Sequence, residues 1–195
     1  MIPFARLLKV AALAVGLSAV LAHAEEQPAP LEISDSSFTC LTDMTPVRGF
    51  FVDNLLGDLE ATQAVANSED GGTYPVGSVV QLIPGEVMVK HPEGTHPTTN
   101  DWEFIELQVS KEGSTIAKRG FEEVNNKFGL NCFDCHAKAE AKWDLICETG
   151  HGCDPLPLTR PMIDVIQKVD PRCEPQPLTD EEKAIAAQLK QMFSK

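Results

Sequence analysis

Cys132, Cys135 and His136 stand in the order Cys-Phe-Asp-Cys-His, the stretch of this chain with the most specific chemistry. Two thiols three residues apart lie on one face of a helical turn, where both can reach the vinyl groups of a single haem. The adjacent histidine then brings a ring nitrogen beneath the iron. The expectation is one covalent haem c per chain, with His136 as the axial ligand. Ala137, Ala139 and Ala141 are small enough to permit close approach to a porphyrin.

Three other chemistries compete for the same residues. A thioredoxin-like site wants its Cys-x-x-Cys at the start of a helix after an early strand, whereas this one comes two-thirds along the chain. A structural zinc site needs four ligands, and a distant fourth makes poor spacing here. A bare disulfide between Cys132 and Cys135 would be strained. Covalent haem is the reading the motif favours.

The first 24 residues read as an export signal. Arg6 and Lys9 precede an apolar run from Val10 to Leu21, and Ala22-His23-Ala24 offers small residues to a signal peptidase. The apolar run is too short for a stable anchor, and no cysteine follows the cut for lipid attachment. The expected location is the bacterial periplasm or the exterior, with no membrane association after cleavage. Of 195 residues, removing 24 leaves 171, enough for one domain with a real core. Loss of two positive charges takes the net charge from −13 to −15. Such a surface repels nucleic acid and anionic membranes, and suits a basic redox partner.

Six cysteines in an exported chain, two of them spent on haem, leave Cys40, Cys147, Cys153 and Cys173 for two disulfides. Three pairings are open to four cysteines. Cys147 and Cys153 flank Gly150-His151-Gly152, where a local bridge is easy, which leaves Cys40 for Cys173.

These residues need elements to hold them. Residues 25–36 read as a flexible leader, 37–173 as one haem domain, and 174–195 as a linker with a C-terminal helix. A helix is expected over Asp53 to Ala66. Val76 to Ile83 and Val87 to Val89 read as a hairpin about Pro84-Gly85, and His91 to Asn100 as a polar loop. Trp102 to Val109 reads as a strand whose alternation slips at Phe104–Ile105, suggesting a bulge, with a short strand over Thr115 to Lys118. Further helices are expected around Asn131 to Trp143, from Thr159 with Pro161 in the first turn, and from Thr179 with a Thr179–Glu182 capping box. The fold class is α+β, an antiparallel sheet flanked by helices, with haem on the helix that carries the motif.

Small electron-transfer cytochromes c place this motif early, with a methionine ligand downstream; Met162 is the one plausible such methionine. Cytochromes c-prime place it late but are all-helical. The segments Thr73 to Val80 (TYPVGSVV), Trp102-Glu103-Phe104, Cys132 to His136 and Lys142-Trp143-Asp144 together resemble the cytochrome P-460 family over about residues 50–165. The resemblance implies a twisted antiparallel sheet, a homodimer, and a five-coordinate haem facing a small pocket. Members oxidise hydroxylamine or bind nitric oxide, and the related cytochromes c-prime-beta share the fold. The enzymes cross-link a lysine to the porphyrin; the matching position here is Leu82, with Lys90 the nearest substitute. A pocket carboxylate that moves protons in the enzymes falls near Glu86.

The favoured function is therefore small-ligand binding, as of nitric oxide, at an open haem face, with or without electron transfer. The alternative is an oxidoreductase acting on hydroxylamine or a related nitrogen compound, with Glu86 and Lys90 as candidate catalytic groups. By residue type alone Glu86 and Lys90 flank a hairpin strand and face water. His91, His96 and His151 read as surface residues rather than sixth ligands. Met88, Trp102 and Trp143 read as packing residues, although a thioether could also face iron.

Overall fold

The computed structural model describes residues 31–194. The export signal and the first part of the leader lie outside the described residues. Six strands run Thr45–Val47 (β1), Phe50–Asn54 (β2), Ser78–Ile83 (β3), Glu86–Lys90 (β4), Trp102–Ser110 (β5) and Gly113–Arg119 (β6). They form one open sheet in the order β1-β2-β3-β4-β5-β6, each strand antiparallel to the next. Among the described residues the α-helices are Leu59–Ala66 (α1), Cys132–His136 (α2), Arg160–Lys168 (α3) and Asp180–Phe193 (α4). The class is α+β, as expected. Among the described residues no helix is long and apolar enough to cross a membrane.

Both faces of the sheet are covered, and this explains the slipped alternation of β5. Phe104 points with its partner Met88 into a cluster that includes Phe50, Val52, Val80, Trp102, Val124 and Ile146. Ile105 points with Val87 into a second cluster, closed by Ile33 and Phe38 of the N-terminal segment. Neighbouring residues are thus both fully buried, each worth ~1.5–3 kcal/mol of apolar burial. The bulge lies further on, between Glu106 and Leu107, opposite an extra residue in β6. Residues 31–36 are correspondingly not loose. Ile33 is buried, and Asp35 Oδ1 accepts the Ile116 amide at 2.8 Å.

The helix expected over 53–66 is confined to Leu59–Ala66, its first two residues ending strand β2 and the next four forming a turn. Phe50 to Asn54 pairs with β3 because its β-prone Phe-Phe-Val run buries alternate side chains. Buried Asn54 then accepts the Leu56 and Asp58 amides at 2.8 and 3.2 Å, turning the chain into a shorter α1. The hairpin of β3 and β4 about Pro84-Gly85 is as expected. The capping box of α4 is also present: Thr179 Oγ1 accepts the Glu182 amide and Glu182 Oε2 accepts the Thr179 amide. This helix packs through Leu189 on Met162 and Val165 of α3. Met162 is thereby committed to that helix pair.

Two disulfides close the chain. Cys40–Cys173 joins the approach to β1 with the α3–α4 connection, and Cys147–Cys153 closes a six-residue separation. Cys132 and Cys135 are free.

Candidate functional site

Helix α2 is only five residues long, and its start is pinned by one side chain. Asn131 Oδ1 accepts the Asp134 amide at 3.0 Å, while its Nδ2 donates to the Phe121 carbonyl at 2.9 Å. The Cys132 amide donates to Val124 at 3.1 Å. The motif is thus fastened to the segment leaving β6. Cys132 and Phe133 lie against the core cluster, as do Leu82, Phe121 and Leu145. The His136 ring meets Phe104 edge-on, with centroids 5.4 Å apart.

The helix expected over 131–143 stops at His136 because the chain must turn back on it. After a 3-10 turn at Ala141–Trp143, Asp144 and Leu145 both adopt left-handed backbone, φ 48° and 65°. That turn brings the Leu145 carbonyl oxygen to 2.6 Å from His136 Nδ1. A carbonyl only accepts, so Nδ1 carries the proton and Nε2 keeps its lone pair. Burial pushes the His136 pKa down, with the Leu145 bond opposing, which favours the neutral ring a metal needs.

Cys132 is not activated for redox work. Burial pushes Cys132 up to about 12, and the charges of Glu86, Cys135 and Glu106 add to the effect. A thioredoxin-like nucleophile requires the opposite shift. A zinc reading also fails on donor placement: among the described residues the one converging group is His91, His96 and Glu103, not Cys132, Cys135 and His136. Two free thiols on one helical turn, an imidazole with a bare Nε2, and an apolar wall from Phe104, Phe121 and Phe133 do fit a thioether-bound haem.

Glu86 is half-buried rather than turned out to water. Its side chain shares a sheet face with Glu106, its register partner, and Oε1 is buried with no hydrogen-bond partner. Burial lifts its carboxyl to about 7, opposed by the amide and charge of Lys127 and reinforced by the charge of Glu106. Lys90 also departs from the expected exposure, being 5% exposed. Its Nζ lies 2.9 and 2.8 Å from the two carboxylate oxygens of Asp144, so it is not free to reach a porphyrin. Leu82 sits half-buried at the edge of the cluster, its carbonyl accepting Gln167 Nε2 of α3 at 2.7 Å.

The histidines expected at the surface are largely inside. His91 is 1% exposed, and its Nε2 lies 2.8 Å from Glu103 Oε2. The Leu31 amide donates to His91 Nδ1 at 3.2 Å, so Nε2 must be the protonated nitrogen and the donor to Glu103. Glu103 is forked by Arg119 as well. Burial alone would raise Glu103, but the hydrogen bonds from Arg119 and His91 bring it down to about 2. With its lone pair and its proton both engaged, His91 belongs to a buried polar network and not to a metal site. His151 stacks on Trp143 at 3.8 Å and donates Nδ1–H to the Ile146 carbonyl at 2.7 Å. His91 is drawn inside by partners on other elements, His151 by the turn just before it. Trp102 and Met88 are core residues, as expected. A cleft of about 520 Å³ beside Cys40–Cys173, lined by Asp43, Phe51, Asp164 and Lys168 among others, includes no residue of the motif.

The Leu145 carbonyl and the role of Asp144 were not visible in the residue pattern. A backbone acceptor has no side-chain signature, and Asp144 marked only a resemblance. Compared with family models, with curated proteins and with solved structures, the chain matches none.

Proposed function

We propose that this chain is an exported c-type haem protein, Cys132 and Cys135 holding haem by thioether bonds and His136 Nε2 ligating its iron. Within that class it is cytochrome P-460-like, binding a small neutral ligand such as nitric oxide at the open haem face, with electron transfer as a companion role. The observation that carries this reading is the His136 Nδ1–Leu145 carbonyl contact of 2.6 Å beside two free thiols. Metal-bound histidines are held in this way, one nitrogen tied to a carbonyl and the other left for the metal. When bound, haem supplies an iron centre for a diatomic ligand or one electron. Leu82, Phe104 and Phe133 exclude water and offer no sixth ligand. The two disulfides suit an oxidising compartment, the periplasm or beyond. The P-460 resemblance adds a homodimer, and the acidic surface a basic redox partner.

One observation favours the hydroxylamine-oxidising alternative. Glu86 is a buried carboxyl poised near neutrality, close enough to Cys132 for its charge to be felt there. That is the behaviour of a proton-transfer group.

The test is a spectrum of the purified protein with and without nitric oxide, preceded by acid-acetone extraction. Haem that stays with the chain and a ferrous spectrum altered by nitric oxide are expected. Freely extracted haem, or none, overturns the reading. Rapid hydroxylamine turnover would select the alternative.

A further inference from the structure

We infer that Lys90 and Asp144 are positioning residues that clamp the Leu145 carbonyl onto His136, keeping Nδ1 protonated and Nε2 bare. The use of that clamp rests on the haem reading above; the clamp itself is a matter of this chain's own contacts.

Neither side chain touches the imidazole, and both act through the backbone. Lys90, at the end of β4, puts Nζ 2.9 and 2.8 Å from the two oxygens of Asp144 and 2.5 Å from the Asn100 carbonyl. Asp144 is 3% exposed and also accepts the Tyr74 amide at 2.9 Å. Each charge is buried with the other as its partner, so removing one alone leaves the other uncompensated. The pair therefore nails position 144 to the sheet. On the other side, the Ile146 amide donates to Trp143 at 2.8 Å and its carbonyl accepts from His151. Gly72 donates to Lys142 at 2.8 Å, and Gly71, at φ 79°, lies against that same oxygen with no room for a Cβ.

The anchors matter because of what lies between them. Asp144 and Leu145 are consecutive non-glycine residues in left-handed backbone. Such residues persist only where their surroundings over-determine them. Released from Lys90, the turn relaxes toward ordinary backbone and the Leu145 carbonyl swings from Nδ1. An unclamped imidazole has no fixed choice of which nitrogen bears the proton.

The probe is the His136 Nδ1–H proton, followed by nitrogen-15 NMR in the full purified chain, in the ferrous carbon monoxide form where haem is attached. In the natural protein a slowly exchanging Nδ1–H is expected. Lys90→Met combined with Asp144→Asn removes both charges together and keeps an acceptor for Tyr74. This double variant is expected to exchange that proton at least tenfold faster, with near-ultraviolet circular dichroism unchanged. In the haem-bearing protein its midpoint potential should move upward, because a hydrogen-bonded imidazole is the more basic ligand. Lys90→Arg, which keeps the charge, should restore the slow exchange. A double variant that folds, protects the proton as before and holds the same potential overturns the inference and leaves the pair a structural one. Should it fail to fold, Asp144→Glu keeps both charges but pushes the turn outward by a methylene, with the same expectation and refutation. Haem staining of a denaturing gel reports separately on the function proposed above. A chain without covalent haem defeats that proposal, while exchange at His136 still decides this one.

Discussion

His136 Nδ1 and the backbone oxygen of Leu145 are 2.6 Å apart across nine residues of chain. The contact selects the ring nitrogen that is left free, and it exists only because the chain reverses at Asp144. A motif legible in five residues thus depends on a carbonyl outside it.

His136→Ala should leave covalent attachment through Cys132 and Cys135 intact while removing the protein ligand to iron. The Soret band should shift and the midpoint potential change in the haem-stained variant. An unaltered spectrum would assign the iron to another residue.

On the proposed attachment of haem to Cys132 and Cys135, the denatured, unreduced protein should show no reactive thiol, since Cys40–Cys173 and Cys147–Cys153 account for the other four cysteines. Two or more thiols per chain in a titration would contradict this. Replacing Cys40 and Cys173 by Ser should cost up to ~5 kcal/mol on loop-closure grounds, and replacing Cys147 and Cys153 only ~2 kcal/mol. Denaturant midpoints of the two variants give the comparison.

Glu86→Gln should change the pH dependence of stability. The folded carboxyl titrates at about 7 against an ordinary 4.5, so the folded state holds this proton more tightly than the unfolded chain. Its burial costs nothing below pH ~4.5, a growing amount up to pH ~7, and its full amount above. The variant should therefore match the natural protein at pH 4.5 and exceed it by on the order of 2 kcal/mol at pH 8. Equal unfolding curves at both pH values would place Glu86 in contact with water. If the hydroxylamine alternative holds, turnover should also follow a group near pH 7 and collapse in the variant.

Leu82→Ala should open the apolar wall beside the motif. Nitric oxide association, followed by stopped flow, is expected to quicken several-fold, with haem attachment unaffected. Removing a half-buried leucine side chain should cost ~1–2 kcal/mol, less than at a fully buried site. Unchanged association kinetics would place the ligand's path elsewhere.

What the sequence determined by itself was local. Cys132, Cys135 and His136 share one turn by spacing alone, Pro84-Gly85 joins two β-prone runs, and Thr179 with Glu182 caps a helix through three residues of separation. Even the disulfide pairing rested on a short Gly-His-Gly connection and on what it left over. Tertiary structure decided the rest, wherever a residue's state depends on a distant partner. The β-prone run Phe50 to Val52 became a strand because β3 lies beside it, and Phe104 and Ile105 are both buried because each sheet face is covered. Lys90 and His91 read as polar and exposed until Asp144 and Glu103 supply the hydrogen bonds that make their burial tolerable. The Leu145 carbonyl is the extreme case. Every residue has a carbonyl, so its place against His136 is written in no side chain and follows only from the path of the folded backbone.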